Sequence, residues 1–336
     1  MSIFDSTIFS YIWLIIGFVC LVKGADFFVD GSSSIAKILK VPSIIIGLTI
    51  VAMGTSLPEA SVSISAAISN ANGIAVGNVI GSNFFNLLFV IGMCALFHPV
   101  HISRDIVKRD FPFSIAITVI LLGFVYIGSH FAIDDMADFG IARFSGFLLL
   151  LLFVIYISVL VQSAIRSRQL HTEDDENTLG PVKSIVLIIV GAIAIIAGGN
   201  LVVDSAKVIA ASFGMSETLI GLTIVALGTS LPELVTSIVA AKKGDTDMAL
   251  GNVIGSNIFN ILFVLGASAS VHAIELGASG IESIIDLILL IISSLIVLII
   301  AIKSESFRFK SGLLMIIMYG AYLAYIIARN YNMLPF

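Results

Sequence analysis

The chain has 336 residues, 58% of them hydrophobic and only 12% charged, with a mean hydropathy of +1.12. No soluble domain hides that much apolar surface, so the composition excludes a soluble globular protein and leaves a polytopic membrane protein. A net charge of −5 argues against a nucleic-acid binder. Lipid admits only helices or closed barrels, and the long apolar runs here select helices.

At roughly 20 residues per span, ten helices are predicted, at 8–34, 43–69, 72–97, 111–129, 141–165, 183–206, 217–241, 246–271, 281–302 and 309–328. The first run lacks a basic leader and reads as a span rather than a removable signal peptide. Cys20 and Cys94 both lie in apolar runs, which suits packing better than a disulfide or metal framework. Residues 166–182 form the one long polar connection. They divide the chain into a first unit (1–165), a short cytoplasmic linker (166–182) and a second unit (183–336). With the N-terminus outside, thirteen of the seventeen basic residues fall in the cytoplasm, three fall outside (Arg143, Lys207, Arg329), and Lys23 lies within the first helix. Both termini then face outward. An odd number of helices per half inverts the second half relative to the first, which is the build of many secondary transporters.

The two halves also repeat one another. GLTIVAMGTSLPEASVSIS (Gly47–Ser65) returns as GLTIVALGTSLPELVTSIV (Gly221–Val239), and GNVIGSNFFNLLFVIG (Gly77–Gly92) returns as GNVIGSNIFNILFVLG (Gly251–Gly266), both offset by 174 residues. GADFFVD (Gly24–Asp30) aligns with GGNLVVD (Gly198–Asp204) at the same offset. Glu59 therefore matches Glu233, Ser82 matches Ser256, and Asn86 matches Asn260. Duplication of a mere packing scaffold would not need to keep polar residues in lipid.

The chemistry is carried by these repeats. Pro58 has no amide hydrogen, so the Gly54 carbonyl loses its helical partner, and Gly54 itself loosens the same turn. The second helix is expected to break there and to release carbonyl oxygens from about Ala52 to Thr55. Irregular backbone at membrane depth is tolerated where it is buried in protein or lines a cavity. A charge near the bilayer centre costs at least about 2.5–3.5 kcal/mol, and no Arg or Lys occurs within either motif, so Glu59 and Glu233 need a cation or a proton. Asn78, Ser82 and Asn86 recur every four residues and share one helix face. Ser82 and Asn86 are read as ligands, while Asn78 and Asn83 suit packing equally well; Gly77 and Gly81 are expected to allow close helix contact. Together with the hydroxyls of Thr55, Ser56, Thr229 and Ser230, the inventory holds oxygen alone. Neither cysteine nor histidine is present in it, which disfavours zinc, copper and iron. Calcium accepts six to eight oxygens in flexible geometry, and two carboxylates balance one divalent or two monovalent ions.

With its paired GTSLPE and GNVIGSN(F/I)FN segments, the chain resembles the sodium/calcium exchanger family of the cation/calcium antiporter superfamily, over essentially its whole length. The resemblance implies an all-α membrane protein in two inverted five-helix repeats, with the first and sixth helices sliding past a core of the second, third, seventh and eighth. It implies that Ca2+ meets Glu59, Glu233 and the carbonyls of Thr55 and Thr229. Na+ would use Ala52, Ser56, Ser82, Ala226, Ser230 and Ser256 and share the glutamates. The resemblance points to a multi-pass cell-membrane antiporter of prokaryotic type, with transported ions and lipid as partners and no cofactor. Potassium-dependent members carry an acid where this chain has Asn260, so potassium co-transport is not expected. Animal members insert large domains between the halves, for which residues 166–182 are too short.

Proton-driven calcium antiport stays open, because a midplane glutamate can carry a proton as well as sodium. An intramembrane enzyme would need a partnered nucleophile or a pattern such as H-E-x-x-H, which is absent. A cation receptor without turnover would not need matched halves. The acidic run Glu173–Glu176 reads as a solvated linker, and His98 and His101 read as interfacial. Asp134, Asp135 and Asp138 read as a cation-concentrating loop. Asp30 and Asp204 suit an access route or helix capping equally.

Overall fold

Two apolar runs free of interior proline form long helices, α1 (Thr7–Leu39) and α7 (Pro181–Ser212). At about 1.5 Å per residue each reaches roughly 50 Å, more than the roughly 30 Å of hydrocarbon. The computed structural model describes residues 7–128, 139–170, 179–213, 226–276 and 280–330. On α1 the exposed large apolar side chains begin at Phe9 and are joined by charge from Lys23 onward; on α7 they run from Val182 to Ile193, before Asn200, Asp204 and Lys207.

These two helices pack antiparallel through glycine. A Cβ added to Gly17 would stand 2.9 Å from the Gly198 carbonyl, one on Gly24 3.0 Å from the Gly191 carbonyl, and one on Gly31 2.7 Å from the Ser184 carbonyl. The steps of seven on both helices bring the backbones together without interlocking side chains, as small residues do in lipid.

The centre of the molecule is built from α2 (Ser43–Thr55), α3 (Leu57–Ile68), α4 (Asn72–Phe97), α8 (Leu231–Lys242) and α9 (Thr246–Val271). Helices α2 and α3 meet at a 50° bend on Ser56. In the other half, a helical turn at Ala226–Gly228 precedes α8, again with a serine, Ser230, at the break. Both α4 and α9 carry a π-helical turn, Phe85–Val90 and Asn260–Leu265, at positions one residue out of register at the offset of 174; such turns often mark functional sites. Around this centre lie α5 (Phe111–Gly128), α6 (Arg143–Leu170), α10 (Gly280–Ser304) and α11 (Phe309–Asn330).

Among the described residues, eight helices are long and apolar enough to cross a membrane, and the bent pair α2–α3 makes a ninth candidate. The first part of the predicted seventh helix, the acidic run at 173–176 and Asp134, Asp135 and Asp138 lie outside the described residues. The all-helix expectation is corrected in one detail. Strand β1 (Val100–His101) pairs antiparallel with β4 (Ser306–Phe307), and β2 (Gly140–Ile141) pairs with β3 (Ile274–Glu275). Each ladder joins a loop of one half to a loop of the other, satisfying backbone groups where helices end. His101 takes its place in β1, and exposed His98 sets its ring nitrogen 2.9 Å from the Pro99 carbonyl.

Three further expectations change. Helix α1 runs five residues beyond its predicted end at 34, because residues 35–39 are apolar but for Lys37 and no proline comes before Pro42. Helices α6 and α7 likewise run past their predicted ends at 165 and 206, so residues 166–170 of the expected linker are helical. Among the described residues, nothing lies within 4 Å of a Cβ built on Gly77 or Gly81, so neither makes the expected close contact there. Their counterparts do. Gly251 would meet the Ile44 carbonyl at 2.7 Å, and Gly255 would meet Leu48 Cα at 2.7 Å.

Candidate cation site

The break in the α2–α3 helix has a clear backbone cause. The Ser56 amide still donates to the Ala52 carbonyl at 3.1 Å, and the ladder resumes with the Ala60 amide to the Ser56 carbonyl at 3.1 Å. The carbonyls of Met53, Gly54 and Thr55 fall in the gap, Gly54 because Pro58 offers no amide. The released set thus starts one residue later than expected: α2 continues through Thr55, so Ala52 keeps its amide donor. The Ala52 carbonyl also lies 3.3 Å from Thr55 Oγ1.

Past the break, Glu59 and Glu233 stand in the first turns of α3 and α8, and both are completely buried. Each is approached by the serine of the opposite half. Ser56 Oγ donates to Glu233 Oε1 at 2.7 Å, and Ser230 Oγ lies 2.9 Å from Glu59 Oε1. Ser230 is also 3.0 Å from Ser82 Oγ, which is 3.5 Å from Glu59 Oε1. The remaining oxygens, Glu59 Oε2 and Glu233 Oε2, have no hydrogen-bond partner among the described residues, nor does Ser256 Oγ. A buried carboxylate oxygen with no donor is a strong demand for a cation or a proton.

The asparagines divide into braces and open groups. Asn78 Nδ2 donates to the Glu59 carbonyl at 3.3 Å and to Ser63 Oγ at 2.9 Å, and Asn252 Nδ2 does the same to the Glu233 carbonyl at 3.4 Å and Ser237 Oγ at 2.9 Å. Their oxygens accept from the threonines of the other half: Thr55 Oγ1 to Asn252 at 3.0 Å, and Thr229 Oγ1 to Asn78 at 3.4 Å. Asn83 and Asn257 exchange bonds to each other's backbone carbonyls at 3.2 and 3.3 Å. Asn260 Nδ2 donates to Asn83 Oδ1 at 3.1 Å, leaving Asn260 Oδ1 without a partner, while buried Asn86 has neither polar atom engaged among the described residues.

Glu59, Glu233, Ser56, Ser82 and Ser230 therefore make a cluster of two hydrogen-bonded groups, Ser56–Glu233 and Ser82–Ser230–Glu59, with Thr55 and Thr229 tied to the asparagines that hold the glutamate turns. Ser256, Asn86 and Asn260 are fully buried as well. Ala52 is also fully buried, and only the backbone of Ala226 is described. Sequence reasoning passed over Ser63, Ser237 and Asn252. The offset of 174 and the four-residue step from each glutamate to its serine could have flagged the two serines. Among the described residues no group of three acidic, histidine or cysteine side chains could hold a metal, so the donors here are two carboxylates and neutral oxygens.

Three cavities lie near the cluster: one of about 350 Å³ is lined by Asn78, Ser82 and Thr229 among others, and two more occupy related corners. Of these two, one of about 400 Å³ lies between α7 and α3 and is lined by Asn200, Asp204, Leu57, Pro58 and Thr229 among others. The other, about 450 Å³, lies between α1 and α8, is lined by Val22, Asp26, Val235, Val239 and Lys243 among others, and touches no residue of the cluster.

Comparison with known proteins gives a consistent result. A family model described as sodium/calcium exchanger protein matches residues 9–162 and 183–328. The sodium/calcium exchanger MaX1 of Methanosarcina acetivorans is 34% identical over 342 residues, covering 94% of this chain and 97% of that protein. The putative antiporter CaxA of Alkalimonas amylolytica is 42% identical over 280 residues, covering 81% of this chain and 84% of its own. A solved structure of the sodium-calcium exchanger NCX_Mj, soaked with zero Na+ and Ca2+, superposes with a TM-score of 0.80 at 33% identity, covering 96% of this chain and all of that one.

Proposed function

The chain belongs to the sodium/calcium exchanger family, and on that premise we propose that Glu59 and Glu233 carry Ca2+ and Na+ alternately through one shared site. The protein is a secondary active antiporter exchanging sodium for calcium. The observation that carries the site assignment is the pair of fully buried carboxylates, each with one oxygen bonded by a serine of the opposite half and the other without a partner among the described residues.

One Ca2+ neutralises both carboxylates and takes further oxygens from the Thr55 and Thr229 carbonyls. On Na+ loading, each ion brings one charge, so the same carboxylates are shared among smaller sets drawn from Ser56, Ser82 and the Ala52 carbonyl, and from Ser230, Ser256 and the Ala226 carbonyl. Asn86 and Asn260 add neutral oxygens at the centre. Because the ions use the same carboxylates, they compete, and competition at one site that opens to each side in turn is what antiport requires.

The reading extends to ten helices in two inverted five-helix units (1–165 and 183–336), joined by a cytoplasmic linker (166–182), with both termini outside and the protein in the cell membrane. Support comes from the reciprocal bonds between halves and from the matched change from apolar to polar surface along α1 and α7. The cavity between α7 and α3 is the access route from outside in this reading.

The decisive experiment uses purified protein in proteoliposomes. A sodium gradient at constant pH and clamped potential should drive calcium flux in the opposite direction. Flux that follows only an imposed proton gradient would replace sodium with protons as the driving ion.

A further inference from the structure

Lys243 caps the C-terminal end of α8 and reaches across to α1. Its Nζ lies 2.8 Å from Asp30 Oδ1 and 3.4 Å from Asp26 Oδ1, and it donates to the Asp26 backbone carbonyl at 3.1 Å. Asp26 and Asp30 are one helical turn apart, and Lys23 approaches the second Asp26 oxygen at 3.6 Å. A single ammonium thus ties the long outer helix to the glutamate-bearing helix. It also lines the cavity between them, together with Asp26, Val235 and Val239.

Among the described residues, the related corner lacks this tie. At the offset of 174, Asp26 corresponds to Asn200, Asp30 to Asp204 and Lys243 to Ser69. Residues 57–71 contain no lysine or arginine at all, and Asp204 pairs within its own helix with Lys207 at 3.2 Å. The linings differ in the same sense: the untied cavity touches Thr229, whereas the tied one is lined by none of the candidate ligands.

We propose that Lys243, with Asp26 and Asp30, is a latch that holds the α1–α8 corner shut and biases the protein toward access from the α7–α3 corner. The proposal rests on the antiport reading above, in which the Lys243 face is cytoplasmic. The side chains are partly exposed, 32% for Lys243, 31% for Asp26 and 51% for Asp30. Such a pair is weak enough to break in every transport cycle and strong enough to shift a two-state equilibrium. Because α1 is joined to α7 through the glycine ladder, releasing α1 from α8 moves both helices together, so one corner opens as the other closes. Lys243 acts on access, and through it on apparent affinity from the latched side; it does not touch the ions.

The test reads accessibility and affinity in the full-length protein. In a Cys20→Ala, Cys94→Ala background, Val239→Cys reports the latched cavity and Ser61→Cys the open one. Lys243→Met, which keeps the aliphatic stem, should raise Val239→Cys labelling by a membrane-impermeant maleimide about fivefold and slow that of Ser61→Cys. Apparent calcium affinity from the Lys243 face should tighten by a similar factor. Lys243→Asp should act in the same direction, and Lys243→Asp combined with Asp30→Lys should restore the original rates. Unchanged labelling in Lys243→Met, or a charge-swapped pair that behaves like Lys243→Asp alone, would overturn the latch. Absence of sodium-driven flux would instead sink the antiport reading, while the labelling rates still report on the latch.

Discussion

Helices α4 and α9 and helices α1 and α7 are all apolar enough to span a membrane, yet they are covered very differently. Within their most apolar stretches, 78% of α4 and 94% of α9 are buried inside the protein, against 33% of α1 and 28% of α7. The covered pair carries Asn78, Ser82, Asn86 and their counterparts; the lipid-facing pair carries glycines at steps of seven. A polar group in hydrocarbon must be satisfied within the protein, so ion-handling residues collect on helices that protein surrounds. A helix pair that shifts against such a core is better joined through backbone contact, which adds no side-chain knobs to disengage. In the proposed exchange cycle, site and moving parts are thereby separated along the sequence.

The comparison can be broken first at the core. Glu59→Gln or Glu233→Gln should reduce sodium-driven calcium flux by roughly 100-fold or more, since losing one of two buried charges facing a divalent cation costs about 3–5 kcal/mol. Near-normal flux from either variant, at equal amounts of folded protein, would remove the site. Next come the crossed serines. Ser56→Ala and Ser230→Ala each delete one hydrogen bond to a carboxylate, worth about 1.5–3 kcal/mol, and should weaken calcium affinity by about tenfold. If each serine served the glutamate of its own half, Ser56→Ala combined with Glu233→Gln would be fully additive; the crossed geometry requires the double variant to lose little beyond Glu233→Gln.

The outer pair is tested by Gly24→Val, which drives side-chain atoms into the Gly191 carbonyl and should destabilise the protein by about 1–3 kcal/mol. Gly320→Val on α11, where nothing among the described residues stands within 4 Å, should leave thermal stability unchanged. Equal melting temperatures for the two variants would show that the ladder is not a packing element. The smallest effect is expected at Asn260→Asp. A third central acid should make transport more sensitive to protons, with flux falling as pH is lowered because the protonated form loses its charge. An ion profile and pH profile identical to the parent would mean that Asn260 faces no ion.

Much of this was legible from the residues. The predicted bounds 72–97 and 246–271 coincide with α4 and α9, because both runs are apolar, uninterrupted by proline, and begin at Asn72 and beside Asp245, whose side chain caps α9 through the Met248 amide. The break near Pro58 followed from its missing amide hydrogen. The extension of α1 to Leu39 was not legible, because the run Gly31–Ser34 just before it looks like the start of a loop in a hydropathy profile. The paired two-residue strands were also hidden, since each needs a partner more than 130 residues away. The π-helical turns at Phe85 and Asn260 left no mark on the apolar pattern either.

The sequence alone determined which groups the protein must accommodate: two acids without a basic partner in their motifs, each repeated in the same setting and each next to a helix break. Only the tertiary structure decided whom they meet. Ser56 lies three residues before Glu59, yet it bonds Glu233, and Ser230 likewise crosses to Glu59. The reason is geometric: a serine at a helix bend projects across the seam, toward the turn that the opposite half brings there, and one-dimensional spacing holds no record of that meeting.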